Sequence, residues 1–323
     1  MKNGIVVVGN VFVDIKGFPD AKYIPAGRNA GRVEFFHGGV GRNIAEDIAN
    51  LELRPTFVTT TDESAQGEDV VQKLRRHKVN TDYMVPAKDG MGMWLAVFDE
   101  TGDVVGSISK RPDMTALKEL IDSRGDEIFS ACDSIVIEID LDKDVVKSVF
   151  RFAQKYRKRV FAAVANMSIA SDRRDFIKEV ECFVCNLQEA EILFVDDFAN
   201  LPVEELGARI SQDVLSAGIR SMVVTLGSKG CIYADMSGDY GYCPALKIQA
   251  RDTTGAGDAF CAGLAAGLTY GCSLAQAAEI GTKIAASVVT SSDNVCPRFL
   301  PEELGINAEV GISDFYGSED ILK

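Results

Sequence analysis

The chain is poor in histidine and tryptophan, and it has no long apolar run. Among its 323 residues are two histidines, His37 and His77, and a single tryptophan. A membrane-spanning helix needs roughly 18 or more consecutive apolar residues, and the sequence contains no uncharged apolar run of this length. The first apolar stretch, residues 5–8, is too short for the core of a secretory signal. We therefore expect a cytoplasmic protein with no membrane partner.

Positive charge is also scarce. Lysine and arginine number 34 against 48 aspartates and glutamates, which gives a formal net charge of −14 and an isoelectric point near 4.7. This balance argues against nucleic acid as the main partner, because a nucleic-acid site needs clustered cations. A nucleotide is not excluded, since a local nest of backbone N–H groups binds phosphate even in an acidic protein.

Paired cysteine motifs are nearly absent. The eight cysteines are scattered, and only Cys182 and Cys185 have the spacing of metal ligands, with no second pair after them. With so little histidine available, we expect no zinc site and interpret the thiols as buried and reduced.

What the chain does contain is a regular alternation of short β-branched runs and amphipathic stretches. Hydrophobic residues make up 46% of the sequence, enough for a full core. The alternation predicts an α/β fold with right-handed βαβ crossovers and a mostly parallel sheet covered by helices on both faces. The predicted strands are 5–8, 56–60, 134–139, 160–164, 182–185, 222–225 and 231–234, and the predicted helices are 42–50, 68–77, 143–157, 187–194, 203–217 and 259–270.

Two segments break this alternation, residues 14–36 and 91–110. Both have the character of extended chain, and the second contains a hairpin-turn sequence at residues 99–103. We predict a small sheet that stands off the main domain. Its apolar residues need a cover, which a bound substrate or the same sheet of a second subunit would supply, so we predict a homodimer through this sheet. The alternative is a surface hairpin without a role.

The most informative stretch is 252–260, Asp-Thr-Thr-Gly-Ala-Gly-Asp-Ala-Phe. Its small residues let backbone N–H groups approach an anion at the start of a helix. If the loop served only to bind phosphate, a carboxylate at this position would repel the ligand. The carboxylate makes sense if Asp258 takes a proton from a substrate hydroxyl while Gly255, Ala256 and Gly257 steady the phosphoryl group. The alternative is an ordinary turn capped by aspartate.

Two further motifs suit an acceptor that carries hydroxyl groups. In 37–45 the pair Gly38 and Gly39 lets a small polyol lie against bare backbone, and Asn43 both donates to and accepts from hydroxyls. Asp14 follows the first strand, at the edge of a parallel sheet where ligands bind. Read in isolation, Asp14 also fits a strand-end turn.

Two other motifs suit a nucleotide and its metal. Asn186 and Glu189 open a helix after a strand, where they would hold Mg²⁺ through its waters or form a capping box. The loop 225–230 carries glycines and hydroxyls that fit a nucleotide phosphate or ribose. It is not a Walker loop, because the Gly-Lys-Ser/Thr ending is absent.

Taken together and in this order, the motifs resemble those of the ribokinase-like (PfkB) family of sugar and nucleoside kinases. The resemblance covers nearly the whole chain. It implies one kinase domain over 1–323 with a doubly wound sheet and a small β-sheet lid, from strands at about 11–36 and 91–110, that closes over the substrate. It also implies ATP with Mg²⁺, and many members use K⁺.

The resemblance further implies a role for each matched residue. Asp258 would be the general base and Gly255, Ala256 and Gly257 the anion hole. The acceptor site would consist of Asp14, Gly38, Gly39, Asn43 and Asp140. The nucleotide and metal site, in which Glu189 holds Mg²⁺ through water, would consist of Asn186, Glu189, Thr225, Gly227, Ser228 and Gly230. Thr282 would contact adenine, and the K⁺ site would consist of Asp252, Thr254 and Ser291.

The identity of the acceptor stays open at this point. Val40 stands where ribokinases usually have lysine, and the motif around it looks more like bacterial pseudouridine kinases. A pyrimidine needs an apolar cover, for which Phe12, Phe36, Met93 and Trp94 are candidates. Lys110 and Arg111 instead suit an acidic or phosphorylated sugar, or form a solvated surface pair. We predict a kinase of a sugar or sugar acid, of the ribokinase, fructokinase or ketodeoxygluconate kinase type, with a nucleoside kinase as the alternative.

Two other classes of protein fit less well. A NAD-dependent oxidoreductase needs Gly-x-Gly-x-x-Gly after the first strand, and only Gly9 is present there. A non-catalytic sugar-binding protein derived from the kinase fold would have lost the base or the metal pair, whereas Asp258, Asn186 and Glu189 are all retained.

Overall fold

The computed structural model describes residues 4–198 and 201–307, which contain two β-sheets. The strands of the larger sheet are β1 (Ile5–Val8), β4 (Thr56–Thr61), β5 (Asn80–Pro86), β8 (Ser134–Glu138), β9 (Val160–Ala163), β10 (Cys182–Asn186), β11 (Ser221–Thr225), β12 (Cys231–Asp235) and β13 (Tyr240–Cys243). The smaller sheet consists of β2 (Phe12–Pro19), β3 (Gly31–Gly38), β6 (Gly92–Phe98) and β7 (Val104–Lys110).

The larger sheet has the order β13-β12-β11-β10-β9-β8-β1-β4-β5. Neighbours from β5 to β11 pair in parallel, and β12 and β13 extend the sheet with antiparallel pairs. The prediction of a mostly parallel, doubly wound sheet is therefore confirmed. Strands such as β1 and β8 are buried along their whole length, as expected for parallel strands covered on both faces.

Helices cover both faces of this sheet. They are α1 (Val40–Asn50), α2 (Ala65–Arg76), α3 (Thr115–Ser130), α4 (Lys143–Lys155), α5 (Met167–Ala170), α6 (Arg174–Ile177), α7 (Leu187–Phe194), α8 (Val203–Ala217), α9 (Ala256–Thr269) and α10 (Leu274–Val289). In the part of the chain that the structure describes, none of them is long and apolar enough to cross a membrane.

Two hydrophobic cores result from the alternation of side chains along the strands. Ile5 and Val7 of β1 pack into the core beneath α1, α2, α9 and α10, whereas Val6 and Val8 pack into the core beneath α3, α4 and α8. Successive side chains of a strand point to opposite faces, so a single apolar strand serves both layers.

Several elements differ from the sequence prediction. α9 begins at Ala256 rather than at 259, because Gly255 adopts a left-handed φ of 82° and acts as its N-cap. The glycine loop is therefore the first turn of the helix rather than a separate loop before it. α3, β5 and β13 lie outside the predicted elements. β5, at the edge of the sheet, begins with three polar residues, Asn-Thr-Asp, and so lacks the continuous apolar run of the predicted strands.

The smaller sheet has the order β3-β2-β6-β7, and its β2–β6 pair is parallel. The second small sheet is confirmed, but 14–36 is not extended throughout. Residues 20–30 form a loop between β2 and β3, closed by a hydrogen bond of 2.9 Å from Asp20 N to Ala30 O. The turn at 99–103 joins β6 to β7, as the sequence predicts.

The end of β1 and the start of α1 meet at two glycines. A Cβ atom added to Gly41 would lie 2.6 Å from the Cα atom of Gly9, closer than any real Cβ contact. The N–H of Arg42 donates to the Asn10 carbonyl at 3.2 Å. The absence of side chains at this crossing therefore sets how closely α1 approaches the sheet.

We expect Gly41→Ala to lower the free energy of unfolding by about 1–3 kcal/mol, because the new methyl group pushes α1 away from β1. Urea unfolding measures this change. Gly106→Ala is the matched control, since a Cβ there meets no atom within 4 Å and a change within about 0.5 kcal/mol is expected. Equal unfolding midpoints for Gly41→Ala and the wild type would contradict the close crossing.

Candidate active site

The candidate site lies where the connections of the larger sheet change direction. β1 and β8 are neighbours, and the sheet continues from β1 to β4 and β5 but from β8 to β9, β10 and β11. In open α/β sheets the crevice at the carboxyl ends of two such strands is the usual ligand site. The segment after β1 and the starts of α1 and α9 converge on this crevice.

The central contact joins α1 to α9. The Asn43 side-chain amide Nδ2 donates a hydrogen bond of 2.6 Å to Oδ2 of Asp258, which lies in the first turn of α9. Burial raises the pKa of Asp258 to about 6, while the Asn43 hydrogen bond and the charge of Arg42 act to lower it and Glu189 acts to raise it. At neutral pH the group is a carboxylate with an affinity for protons suited to a general base.

The Asn43 side chain has one polar atom without a hydrogen-bond partner. Its Oδ1 atom is buried and has no hydrogen-bond partner in the structure, although nearly all buried polar atoms in proteins have one. An acceptor hydroxyl bound here would satisfy that atom.

Asp14 lies next to the same segment. A Cβ atom at Gly38 would lie 2.7 Å from each carboxylate oxygen of Asp14, so the carboxylate occupies the space that the missing side chain leaves. Gly39 has a φ of 98° and caps α1, and its carbonyl accepts from Asn43 N at 2.9 Å. The structure therefore brings together the predicted acceptor residues Asp14, Gly38, Gly39 and Asn43.

Aromatic side chains flank Asp14 in the smaller sheet. Phe36 and Trp94 are its cross-strand partners on either side, and directly opposite residues share a face. Lys16 lies on the same face, with Nζ 4.7 Å from the Phe36 ring centroid. Phe12 also lies on this face, whereas Met93, predicted with them, lies on the opposite one, because successive residues of a strand alternate.

The start of α9 has the open space and the backbone N–H groups that an anion site needs. A Cβ atom at Gly255 would overlap the carbonyl oxygen of Asn294, while one at Gly257 would meet no atom within 4 Å. The hydrogen bond from Ala259 N to Gly255 O, 2.9 Å long, closes the first turn of α9, and the N–H groups of Gly257 and Asp258 precede it. Free N–H groups and open space at a helix start fit a phosphoryl group. We call residues 255–258 the anion cradle.

Asp140 has partners that the sequence did not indicate. It is buried; Oδ1 accepts from Ala165 N at 2.9 Å and Oδ2 pairs with Arg111 Nη2 at 3.0 Å. Arg111 is therefore held by Asp140, although its side chain stays 43% exposed. Both oxygens of Asp140 are in use, so its role toward the acceptor stays a prediction that no contact supports.

The two predicted nucleotide motifs lie side by side. Asn186 is the parallel-sheet partner of Thr225, and both line a cavity of about 390 Å³ together with Gly227. Asn186 and Glu189 form the capping box, with Glu189 N donating to Asn186 Oδ1 at 2.9 Å. The pKa of Glu189 lies above its ordinary value. Burial raises it most, the hydrogen bond from the Asn186 N–H lowers it, and the charge of Asp140 raises it.

The other predicted residues lie around this region. Ser228 is exposed in the turn between β11 and β12, and Gly230 follows with a φ of 106°. Thr282 is buried on α10, with its hydroxyl 3.5 Å from the Cys243 sulfur, and it is not among the residues that line the 390 Å³ cavity.

The residues predicted for potassium come from two neighbouring segments. Thr254 N donates to Asp252 Oδ1 at 2.9 Å, and Asp252 N donates to the Val289 carbonyl at 3.3 Å. Ser291 lies in the turn after α10, where Oγ accepts from Asp293 N at 3.0 Å. The backbone brings these segments together, and Ser291 is also among the residues that line a separate cavity.

Sequence reasoning missed Glu138. This buried carboxyl group accepts from Asn10 N at 2.8 Å, from Asn10 Nδ2 at 2.7 Å and from Gly41 N. It thereby fixes the segment after β1 against the start of α1. Burial, and then the charge of Asp140, raise its pKa to about 8. The signal was available as an acid at the end of the apolar run Ser-Ile-Val-Ile-Glu.

Comparisons with known proteins identify the family. Residues 2–296 match the pfkB family of carbohydrate kinases. A guanosine-inosine kinase of Exiguobacterium acetylicum is 33% identical over 294 residues, which cover 90% of this chain and 96% of the relative. A pseudouridine kinase of Escherichia coli strain K12 is 25% identical over 266 residues, covering 82% and 83%.

A solved structure shows the same fold. Arabidopsis thaliana ribokinase in complex with ribose and ATP superposes with a TM-score of 0.83 at 20% identity, and the match covers 94% of this chain and 99% of that one. From the family match over residues 2–296 and the 33% identical kinase, the chain belongs to the pfkB family of carbohydrate kinases and is a phosphotransferase that acts on a hydroxyl group of a small molecule.

Proposed function

We propose that the chain transfers the γ-phosphoryl group of ATP to a hydroxyl group of a nucleoside. The observation that carries this proposal is the position of Asp14 between Phe36 and Trp94 on one face of the smaller sheet. A carboxylate binds adjacent ribose hydroxyls, and aromatic faces beside it cover a base. The 33% identity to a guanosine-inosine kinase supports the same class of acceptor.

In this proposal Asp258 is the general base. It takes the proton of the acceptor hydroxyl as the oxygen forms a bond to the γ-phosphorus and the bond from that phosphorus to the bridging oxygen of ADP breaks. Asn43 orients the carboxylate through its 2.6 Å hydrogen bond. The N–H groups of the anion cradle face the negative charge that spreads over the phosphoryl oxygens in the transition state.

The nucleotide and Mg²⁺ are assigned to the neighbouring motifs. Asn186, Thr225 and Gly227 line one cavity, and Ser228 and Gly230 belong to the same loop, so we assign the nucleotide to this cavity. Mg²⁺ usually keeps several waters and takes few direct carboxylates, so Glu189 would hold it through water with the oxygen that its capping bond leaves free. When bound, the ion neutralises phosphate charge.

Potassium is proposed beside the anion cradle, at Asp252, Thr254 and Ser291. The Thr254 N–H lowers the pKa of Asp252, which therefore stays ionised. An ionised carboxylate beside backbone oxygens suits a monovalent cation. Thr282 remains proposed as an adenine contact, although its hydroxyl faces Cys243.

A free sugar or a sugar acid is the second candidate acceptor. The observation that favours an acid is Lys16, whose ammonium group lies on the same face as Asp14 and over the Phe36 ring. A carboxylate on the acceptor would pair with this cation. Asp14 and Asn43 would bind sugar hydroxyls in either case.

We also propose a homodimer through the opposite face of the smaller sheet. That face presents exposed apolar side chains from three of its strands, among them Phe35 (57% exposed), Leu95 (41%) and Ile108 (70%). A contiguous apolar surface of this kind usually marks an interface.

We expect Asp258→Asn to lower kcat by about 10²–10⁴-fold or more, because the asparagine amide cannot accept the proton. Affinity for ATP should stay close to that of the wild type, since the backbone N–H groups of the cradle are unchanged. Steady-state kinetics and a nucleotide titration measure the two quantities. Near-normal turnover in this variant would refute the role of Asp258.

The acceptor is tested by ADP release with guanosine, inosine, adenosine, uridine, pseudouridine, ribose, fructose and keto-deoxy-gluconate, with and without K⁺. We expect the highest kcat/KM with a nucleoside. Trp94→Leu should lower kcat/KM for that nucleoside about tenfold, as loss of one base-stacking contact does, and should change kcat/KM for ribose less. A free sugar or sugar acid that outperforms every nucleoside would favour the second candidate.

The homodimer is tested by sizing the protein in solution at micromolar concentration. We expect a dimer for the wild type and a monomer for the double variant Phe35→Asp/Ile108→Asp, because charge on the apolar face opposes its burial. Leu215→Asp, at an exposed apolar position on α8, is the control and should stay dimeric. A monomeric wild type would end the proposal.

A further inference from the structure

Arg42 is a buried cation that the mechanism above does not use. It lies in the first turn of α1, one residue before Asn43, and its side chain is 1% exposed. Among the residues that the structure describes, it is the one lysine or arginine that is fully buried. Basic side chains are rarely buried unless they are paired, so its partners indicate what it does.

The guanidinium group of Arg42 bridges two elements. Nη1 donates to Oε2 of Glu46, one turn further along α1, at 2.6 Å. Nη2 donates to the backbone carbonyl of His37, the residue just before Gly38 and Gly39. The side chain therefore ties the acceptor turn, which we define as residues 37–39, to the body of α1.

The same carbonyl also joins the acceptor turn to the anion cradle. The side-chain amide of Asn294 donates to His37 O at 2.9 Å, and the carbonyl of Asn294 lies against Gly255, where a Cβ would overlap it. One carbonyl thus accepts from Arg42 on one side and from Asn294 on the other. Through it, the position of the acceptor turn is linked to that of the phosphoryl site.

The positive charge of Arg42 acts on both carboxylates of the site. Burial raises the pKa of Asp14 and of Asp258, and Arg42 opposes the rise in each. Glu46 is also paired with Lys73 at 3.1 Å, so its charge is shared between two cations. Arg42 thus contributes a positive potential beneath the acceptor site.

We propose that Arg42 is a positioning residue, which anchors the acceptor turn against the anion cradle and places a positive charge beside Asp14 and Asp258. This rests on the proposed role of Asp258 as the base. A transfer reaction requires acceptor and phosphoryl group to be held at a fixed separation, and small displacements are costly. The titratable and charged groups that face this network from the surrounding elements are Asp14, Lys16, His37, Glu46, Asp47, Asp69, Lys73, His77, Glu189 and Asp258.

The test is the pH dependence of kcat/KM with ATP and the best acceptor of the panel. In the wild type we expect kcat/KM to fall below about pH 6, since Asp258 must lose its proton to act as a base. In Arg42→Gln the lost positive charge raises the pKa of Asp258 further. The acid limb should therefore move upward by about one pH unit, so that activity lost at pH 6.5 is partly recovered at pH 8.5.

Arg42→Lys separates the two parts of the proposal. A lysine keeps the charge but cannot donate to Glu46 and the His37 carbonyl with the same two-pronged geometry. We expect its acid limb to stay near that of the wild type while kcat/KM falls about tenfold or more at every pH, through misplacement of the acceptor turn.

Two further variants serve as controls. Because Arg42→Gln leaves the Glu46 carboxylate without its Arg42 partner, the double variant Arg42→Gln/Glu46→Gln removes both charges together. Thermal unfolding checks that each variant is folded. Lys73→Gln removes the other cation on Glu46. Lys73 is not among the charges that shift the pKa of Asp14 or of Asp258, so this variant should leave the acid limb unchanged.

The outcomes distinguish this proposal from the proposed function. If Asp258→Asn is inactive and folded Arg42 variants keep both the wild-type acid limb and the wild-type kcat/KM, the role of Arg42 is overturned and the function stands. If Asp258→Asn remains active, the proposed function fails and the inference about Arg42 fails with it. An upward shift of the limb in the glutamine variants, absent from Lys73→Gln, supports the proposal.

Discussion

The site depends on one contact, the hydrogen bond from the Asn43 amide to the Asp258 carboxylate. It joins the first turns of α1 and α9, two helices that pack together over the same hydrophobic core. α1 brings the acceptor turn to this point, and α9 brings the anion cradle. If the two helices moved apart, the residues that bind hydroxyls would no longer face the residues that bind phosphate. The close crossing at Gly9 and Gly41 therefore matters to the chemistry as well as to the fold.

The charges around this contact explain how a strongly acidic chain is able to accommodate phosphate. The net charge of −14 is distributed over the whole molecule, whereas the phosphoryl group would meet the N–H groups of a helix start, which act locally. Inside the site, buried carboxyl groups are held by fixed partners. Glu138 accepts three N–H donors, and Asp14 and Asp258 share the positive potential of Arg42. Each acid thus has a distinct environment, and only Asp258 combines a raised pKa with a place at the anion cradle.

Much of this could be predicted from the sequence, and the reason is local. The glycine cradle, the Asn186 capping box and the buried strands are each set by residues within a few positions of one another. The parts that were missed depend on contacts between distant residues. Glu138 reaches Asn10 across 128 positions, and Arg111 pairs with an aspartate 29 residues away. The face on which Met93 lies follows from strand register, and Arg42 could be interpreted only once its burial was known.

The most direct test of this account is a crystal structure of the protein with a nucleoside and a non-hydrolysable ATP analogue. The account predicts an acceptor hydroxyl within about 3.2 Å of the Asp258 carboxylate and about 3–3.5 Å from the terminal phosphorus, with the terminal phosphate against the N–H groups of residues 255–258. An Asp258 side chain that faces away from the acceptor, or a terminal phosphate bound away from the start of α9, would contradict it.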